Sequence, residues 1–334
     1  MFPGMKTARH ARRALRGTAA IQGLVLLVFC VSSAGAAPTT ELGLMTAGER
    51  GTYHQFGLDL KNLVKPRGIN LNVYSSRGSV DNIFALHQPR PRVQMAIVQS
   101  DVLEFVASQD SNPAVTQIAR STRLLFPLFD EEIHVIGRAG IADFDELDRK
   151  RVAVGPEGSG TTLTARVLFK LANIVPAEMV AIDAPEALAR LKAGDIDAMV
   201  YVAAAPVKLL TEHVTAADQL SLIAISNKSI LEAYARVEIP PQTYEWQPSA
   251  VTTASVKAVL VSSALSGRDC ESVGRFAQHV VTGMNWLVRH GNPRWKQVDL
   301  NVPVHGWKQD ACVRKYAGAH PAHASRRSSA ETSR

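Results

Sequence analysis

Apolar residues recur along this chain in two alternating patterns: short unbroken runs, and longer segments in which they return every three or four positions. Short runs suit strands buried on both faces, whereas the longer spacing lines up one face of a helix. Residues 41–45 read as a first strand, and the segment after Thr52 aligns Phe56, Leu60, Leu63 and Val64 until Pro66 and Gly68 end it. A strand near 71–74, a helix opening at Ser79 with Val80, Ile83 and Phe84 inward, and a strand over 95–98 follow. Ser100 is placed to cap the next helix. A second set starts near Glu132, with strands over 133–136 and 151–154 and a short helix at 144–148 between them. Leu163, Val167, Leu168 and Leu171 mark another helix, with Thr161 and Thr162 as its capping candidates. Strands at 179–182 and 197–202 enclose a helix over 186–192, and Pro206 suits a helix start. Residues 236–249, with Pro240, Pro241 and Pro248, read as irregular chain before 254–262 returns to strand. Strand then helix, repeated, predicts α/β layers around a largely parallel sheet.

The first residues bear on the compartment. Lys6, Arg9, Arg12, Arg13 and Arg16 precede an apolar stretch over 19–31, and Ala34, Gly35 and Ala36 follow. That order of charged, apolar and small segments reads as a secretory signal peptide over 1–36, cleaved after Ala36; an uncleaved anchor is the alternative. The expected location is the periplasm. Without those residues the basic count falls from 37 to 32 against 30 acids, a net charge of +2 in place of +7. So near-neutral a chain makes nucleic acid an unexpected partner. Arg326, Arg327 and Arg334, in a Ser-, His- and Ala-rich run, make 319–334 a disordered basic tail. The remaining length suits two domains. In an oxidising compartment Cys270 and Cys312 favour a disulfide, although two buried thiols would leave the same sequence. Neither has a histidine at metal-ligand spacing, so no metal site and no cofactor are expected.

In open parallel sheets ligands bind beyond the carboxyl ends of the strands, where helix N-termini present free amides. Five loops occupy such places. The first holds Gly51, Thr52 and Tyr53, which reads either as a ligand turn or as a tight turn with a helix cap. The second holds Arg77, Ser79 and Asn82; Arg77 suits a carboxylate if it is not simply solvated, and Ser79 also suits an N-cap. The third holds Gln99 and Ser100, where Gln99 can donate and accept to a ligand or tie two strands together. The fourth, Gly158, Ser159, Gly160, Thr161 and Thr162, has the composition of an anion cradle. The fifth, around Ala204, is small enough to admit a solute.

Enzyme signatures fail at the same loops. No Lys follows Gly160 as a phosphate-binding loop requires, and Glu157 stands where a hydrolase elbow needs glycine. Ser159 with His54 or His134 is the residual hydrolase reading, and the expectation is that the chain is not an enzyme.

Taken together, Gly51-Thr52-Tyr53, Gly78-Ser79-Val80-Asp81-Asn82, Gln99-Ser100-Asp101, Gly158-Ser159-Gly160-Thr161 and Gly194-Asp195-Ile196-Asp197-Ala198 resemble the TAXI family of receptors of tripartite ATP-independent periplasmic (TRAP) transporters. The resemblance runs from about residue 42 to 262. It implies a type II periplasmic-binding-protein-like α/β fold with two lobes, 37–132 plus 250–318 and 133–249, joined by a hinge and closing over a ligand cleft. It also implies a monomeric receptor for a small carboxylate or acidic amino acid, delivering to a TRAP permease. A periplasmic ligand-sensing subunit of a signalling system is the alternative.

Overall fold

A computed structural model describes residues 39–107 and 113–318. The leader expected over 1–36 and the tail expected over 319–334 lie outside the described residues.

The first strand–helix repeats fold as their periodicity requires: β1 (Thr40–Met45), α1 (Thr52–Val64), β2 (Ile69–Tyr74), α2 (Ser79–Ala85), β3 (Met95–Gln99), α3 (Val102–Ala107) and α4 (Pro113–Ser121). The chain then runs through β4 (Arg123–Arg138), β5 (Arg151–Ala153), α5 (Gly160–Ala172), β6 (Glu178–Val180), α6 (Ala184–Ala193) and β7 (Ala198–Ala203). It continues with α7 (Lys208–His213), β8 (Leu220–Leu222), α8 (Lys228–Ala233), β9 (Ala235–Ile239), β10 (Val251–Ser262), α9 (Gly267–His290) and α10 (Ala311–Ala317).

One sheet in the order β2-β1-β3-β10-β4-β7-β5-β6 connects them, with β8 on β4 and β9 on β10. β1 pairs in parallel with β2 and β3, and β5 in parallel with β6 and β7, so each half of the sheet is a parallel α/β layer. Two long antiparallel strands span both halves. The end of β10 lies between β3 and the start of β4, whereas β4 from Glu132 to Gly137 pairs with β7. Between these stretches the β4–β10 register shifts, with Lys257 opposite Asp130 but Val259 opposite Pro127. Proline has no N–H for a ladder and is tolerated within sheets at such irregularities. This is a mixed α/β fold, with one parallel layer on each side of the crossing pair.

Each half buries apolar side chains on both faces of its sheet. In the first half, α1 and α9 pack Phe56, Leu60, Leu63, Phe276 and Val280 on one face, and α2 and α3 pack Ile83 and Val106 on the other. In the second, α5 supplies Leu168 and Phe169 to one face while α6 and α7 supply Leu188 and Leu210 to the other. Cys270 and Cys312 are disulfide-bonded, fastening the start of α9 to α10. Among the described residues no helix is long and apolar enough to cross a membrane.

Four local expectations change. Pro206 does not open a helix, since α7 begins at Lys208 with Val207 at its N-cap. Residues 235–239 form β9 rather than irregular chain, because the first residues of β10 offer them a partner, with Val251 opposite Ile239. The cap of α5 is Ser159, whose hydroxyl accepts from the Thr162 N–H, and not Thr161 or Thr162. Gly78 holds the N-cap position of α2, which leaves Ser79 as its first helical residue.

Candidate functional site

Parallel topology places the loops after β1, β2 and β3 at one end of the first half, and those after β5 and β7 at one end of the second. The structure brings several of them into contact. The Asp81 N–H donates to the Gly158 carbonyl at 3.2 Å, joining the start of α2 to the loop before α5. A Cβ on Gly78 would lie 3.2 Å from Ser159 Cα, and one on Gly160 would lie 1.7 Å from Gln99 Oε1 and 2.8 Å from Ser79 Oγ. Residues 78–79, 99 and 158–161 thus form one contact surface, which glycines allow because they carry no side chain.

Several predicted site residues are spent on building the loops. Asn82 is fully buried, and its side-chain amide donates to the Ile97 carbonyl. The Ser100 hydroxyl accepts from the Lys257 N–H. Thr162 Oγ1 donates back into the loop and lies 2.9 Å from the Gly155 carbonyl and 2.7 Å from that of Pro156, while Ser159 caps α5. Arg77 is exposed and bonded through both Nε and Nη2 to the Asp81 carboxylate, which raises its pKa. Gly51 closes a turn onto Gly48, and neither it nor Thr52 bonds to the other loops among the described residues.

A smaller set retains unused capacity. Gln99 is buried, and its Oε1 has no hydrogen-bond partner among the described residues. The amides of Gly160 and Thr161, at the open end of α5, make no hydrogen bond among the described residues. An unpaired acceptor and unpaired donors therefore meet at one place, where buried polar groups ordinarily find partners. The Ser79 hydroxyl accepts from the Gln99 N–H and faces the Tyr53 hydroxyl. Ala204 packs in the same apolar cluster as Tyr53.

Acidic residues that the sequence reading did not select lie beside this place. The Tyr53 hydroxyl donates to Glu131 Oε2 at 2.6 Å. Burial pushes the Glu131 pKa up to about 8, against the lowering effect of the Tyr53 bond and with further upward pressure from Asp101 and Glu132. Burial, then the nearby Glu131 charge, raises the Tyr53 pKa well above its ordinary value. Asp101 Oδ2 accepts from Thr164 of α5 at 2.7 Å and from the Tyr234 hydroxyl at 3.0 Å, bonding the end of the first half to the second. The three consecutive acids Asp130, Glu131 and Glu132 inside an apolar strand were the signal available in the sequence.

No hydrolase geometry is assembled among these residues. Ser159 Oγ lies 3.0 Å from Thr162 Oγ1, while His134 Nε2 is bonded to the Tyr244 hydroxyl and His54 Nδ1 to Thr46. Burial lowers the His134 pKa to about 4, so its imidazole is neutral at physiological pH. A separate groove of about 480 Å³, lined by Leu222, Leu231, Arg236, Val251 and Thr252 among others, shares no residue with the converging loops.

Replacing Gly160 with Ala tests the contact. The new methyl must displace the Gln99 carboxamide, and such overpacking costs about 1–3 kcal/mol. Gln99→Ala in the same chain should recover most of that loss in urea unfolding, as expected for coupled neighbours. Strict additivity of the two changes would show that the loops do not touch.

Several solved structures are similar to this chain at low identity. The periplasmic binding protein BugD is 9% identical, with 78% of this chain and 86% of that chain covered and a TM-score of 0.47. A TctC solute-binding protein from Polaromonas is 14% identical, covering 78% and 88%, with a TM-score of 0.44. The effector-binding domain of QuiR in complex with shikimate is 12% identical, covering 76% and 100%, with a TM-score of 0.45. Likenesses this distant carry no argument about ligand or partner. The NMT1-like family profile, in contrast, matches residues 44–268 of the sequence itself. Because that match spans more than half of the chain, the protein belongs to the NMT1-like family.

Proposed function

We propose that the protein is a periplasmic substrate-binding receptor of the TAXI type, which captures a small organic anion, a carboxylate or acidic amino acid, and delivers it to a TRAP permease. The observation that carries this reading is the meeting of the unbonded Gly160 and Thr161 amides with the unpartnered Gln99 Oε1, where loops from both halves of the sheet converge. Amides at a helix N-terminus combine free donors with the positive end of the helix dipole, which favours an anionic group. A neighbouring acceptor such as Gln99 Oε1 suits a hydroxyl or amino group on the same solute.

In this reading the lobes are 37–132 plus 250–318 and 133–249, and β4 and β10 form the hinge. Tyr53, Ser79, Gln99, Gly158, Gly160, Thr161 and Ala204 face the ligand, with Gly51 and Thr52 at the entrance. Asn82, Ser100, Ser159 and Thr162 shape the loops, and Arg77 is committed to Asp81.

A thermal-shift screen of residues 37–334 against organic acids, amino acids, sugars and polyamines tests it. Ligand at one hundred times its dissociation constant adds about 2.7 kcal/mol of stability. At least one carboxylate should stabilise the protein, and replacing Gln99 with Ala should weaken that effect. Stabilisation by sugars or cations alone would end the carboxylate assignment, and no stabiliser of any class would count against a receptor.

A further inference from the structure

After β7 the chain turns through Ala204, Ala205 and Pro206, and the Ala205 residue is held at both of its backbone groups. Its N–H donates to Glu132 Oε2 at 2.7 Å, and its carbonyl accepts from Arg294 Nη2. Glu132 belongs to β4, whereas Arg294 lies 89 residues beyond Ala205 in a 3₁₀ turn, Pro293–Gln297, that follows α9. The second bond comes from a guanidinium, which makes it the stronger, charge-assisted kind.

That turn is anchored on the first half independently of Arg294. Trp295 is fully buried and stacks on Phe56 of α1 with ring centroids 4.2 Å apart. Its indole N–H and the Asn292 N–H both donate to Asp59 Oδ2, at 2.8 and 2.7 Å. The Arg294 backbone is therefore fixed against α1, and its side chain reaches the loop after β7. A second guanidinium bond, from Nη1 to Gln297 Oε1 at 3.1 Å, orients the planar fork. Arg294 forms no ion pair among the described residues, and Glu132 and Glu131 face its charge at longer range.

We propose that Arg294 is a positioning residue of the site: together with Glu132 it holds Ala205, and thereby Ala204, in place against the Tyr53 side of the first half. The inference rests on the reading above that Ala204 faces the ligand, and it gives the chain after Cys270 a part in binding. Lysine would keep the charge but lose the fork, so Arg294→Lys should restore the hold only in part.

Hydrogen exchange on residues 37–334, without ligand, tests the hold directly. In Arg294→Gln the amides of Ala204 and Ala205 should exchange at least tenfold faster, while α9 amides stay within twofold of the parent. Arg294→Lys should fall between. Unchanged exchange at Ala204 and Ala205, or an equal rise throughout α9, would overturn the proposal. If the glutamine variant does not fold, Arg294→Lys and Glu132→Gln are read by the same criteria. A second arm uses L-glutamate as the probe, with Arg294→Gln expected to speed dissociation at least tenfold and leave association within threefold. A parent that binds neither L-glutamate nor any other carboxylate would remove the receptor reading and the role at a ligand site with it, while exchange still decides the hold. A parent that binds, with dissociation unchanged in the variant, would remove only the role assigned to Arg294.

Discussion

Glu131→Gln is expected to be more stable than the parent above pH 8, by up to about 5 kcal/mol, and nearly equal to it at pH 4. Burial holds the folded-state pKa of Glu131 at about 8, whereas an unperturbed glutamate ionises near 4.5. Between those values the folded protein keeps a proton that the unfolded chain releases. Stability therefore falls as pH rises through the window, by at most about 1.4 kcal/mol per unit, and levels off above it. Glutamine removes the titration yet still offers an oxygen to the Tyr53 hydroxyl, so the difference between the proteins isolates this one group. His134 contributes the opposite slope, because its pKa is lowered to about 4 and its stabilising effect is lost as pH falls below the ordinary imidazole value of 6.5. Both proteins carry it, so it cancels in the comparison. Urea unfolding from pH 4 to 9 gives the curve, and a difference that does not change with pH would show that Glu131 is ionised in the folded protein.

Removing the Cys270–Cys312 disulfide, by Cys270→Ala with Cys312→Ala, should destabilise the protein by about 2–4 kcal/mol. The bond closes a loop with a sequence separation of 42, for which the chain-entropy argument gives about 4 kcal/mol. Its place raises the consequence beyond local order. It ties α10 to the start of α9, and α9 covers the face of α1 from which the Arg294 turn projects. Reducing the parent should bring its urea midpoint to that of the double variant, while the variant ignores the reductant. An oxidised double variant as stable as the oxidised parent would show that packing alone secures α9 and α10.

The parallel α/β layers were readable because their sequence signal is local. Helices α1 and α5 show spaced apolar faces, and the glycines around 158–160 and at Gly78 mark places where backbone meets backbone. The course of β4 was not readable. Its 16 residues contain Pro127 and three consecutive acids, so a sequence reading recovers only the stretch near 133–136. Pairing with β10, a strand more than 110 residues later, carries it through the interruption.

The same division runs through the site. Sequence by itself determined which loops follow strands and which residues are small enough for close approach, because periodicity and backbone freedom are properties of neighbours in the chain. Tertiary structure alone decided how those polar groups are used. It committed Asn82 to the Ile97 carbonyl, left Gln99 Oε1 without a partner among the described residues, buried Glu131 against Tyr53, and brought Arg294 across to Ala205. Hydrogen bonds and desolvation depend on what surrounds a side chain in space, and at these positions the decisive neighbours are brought near only by the folding of the whole chain.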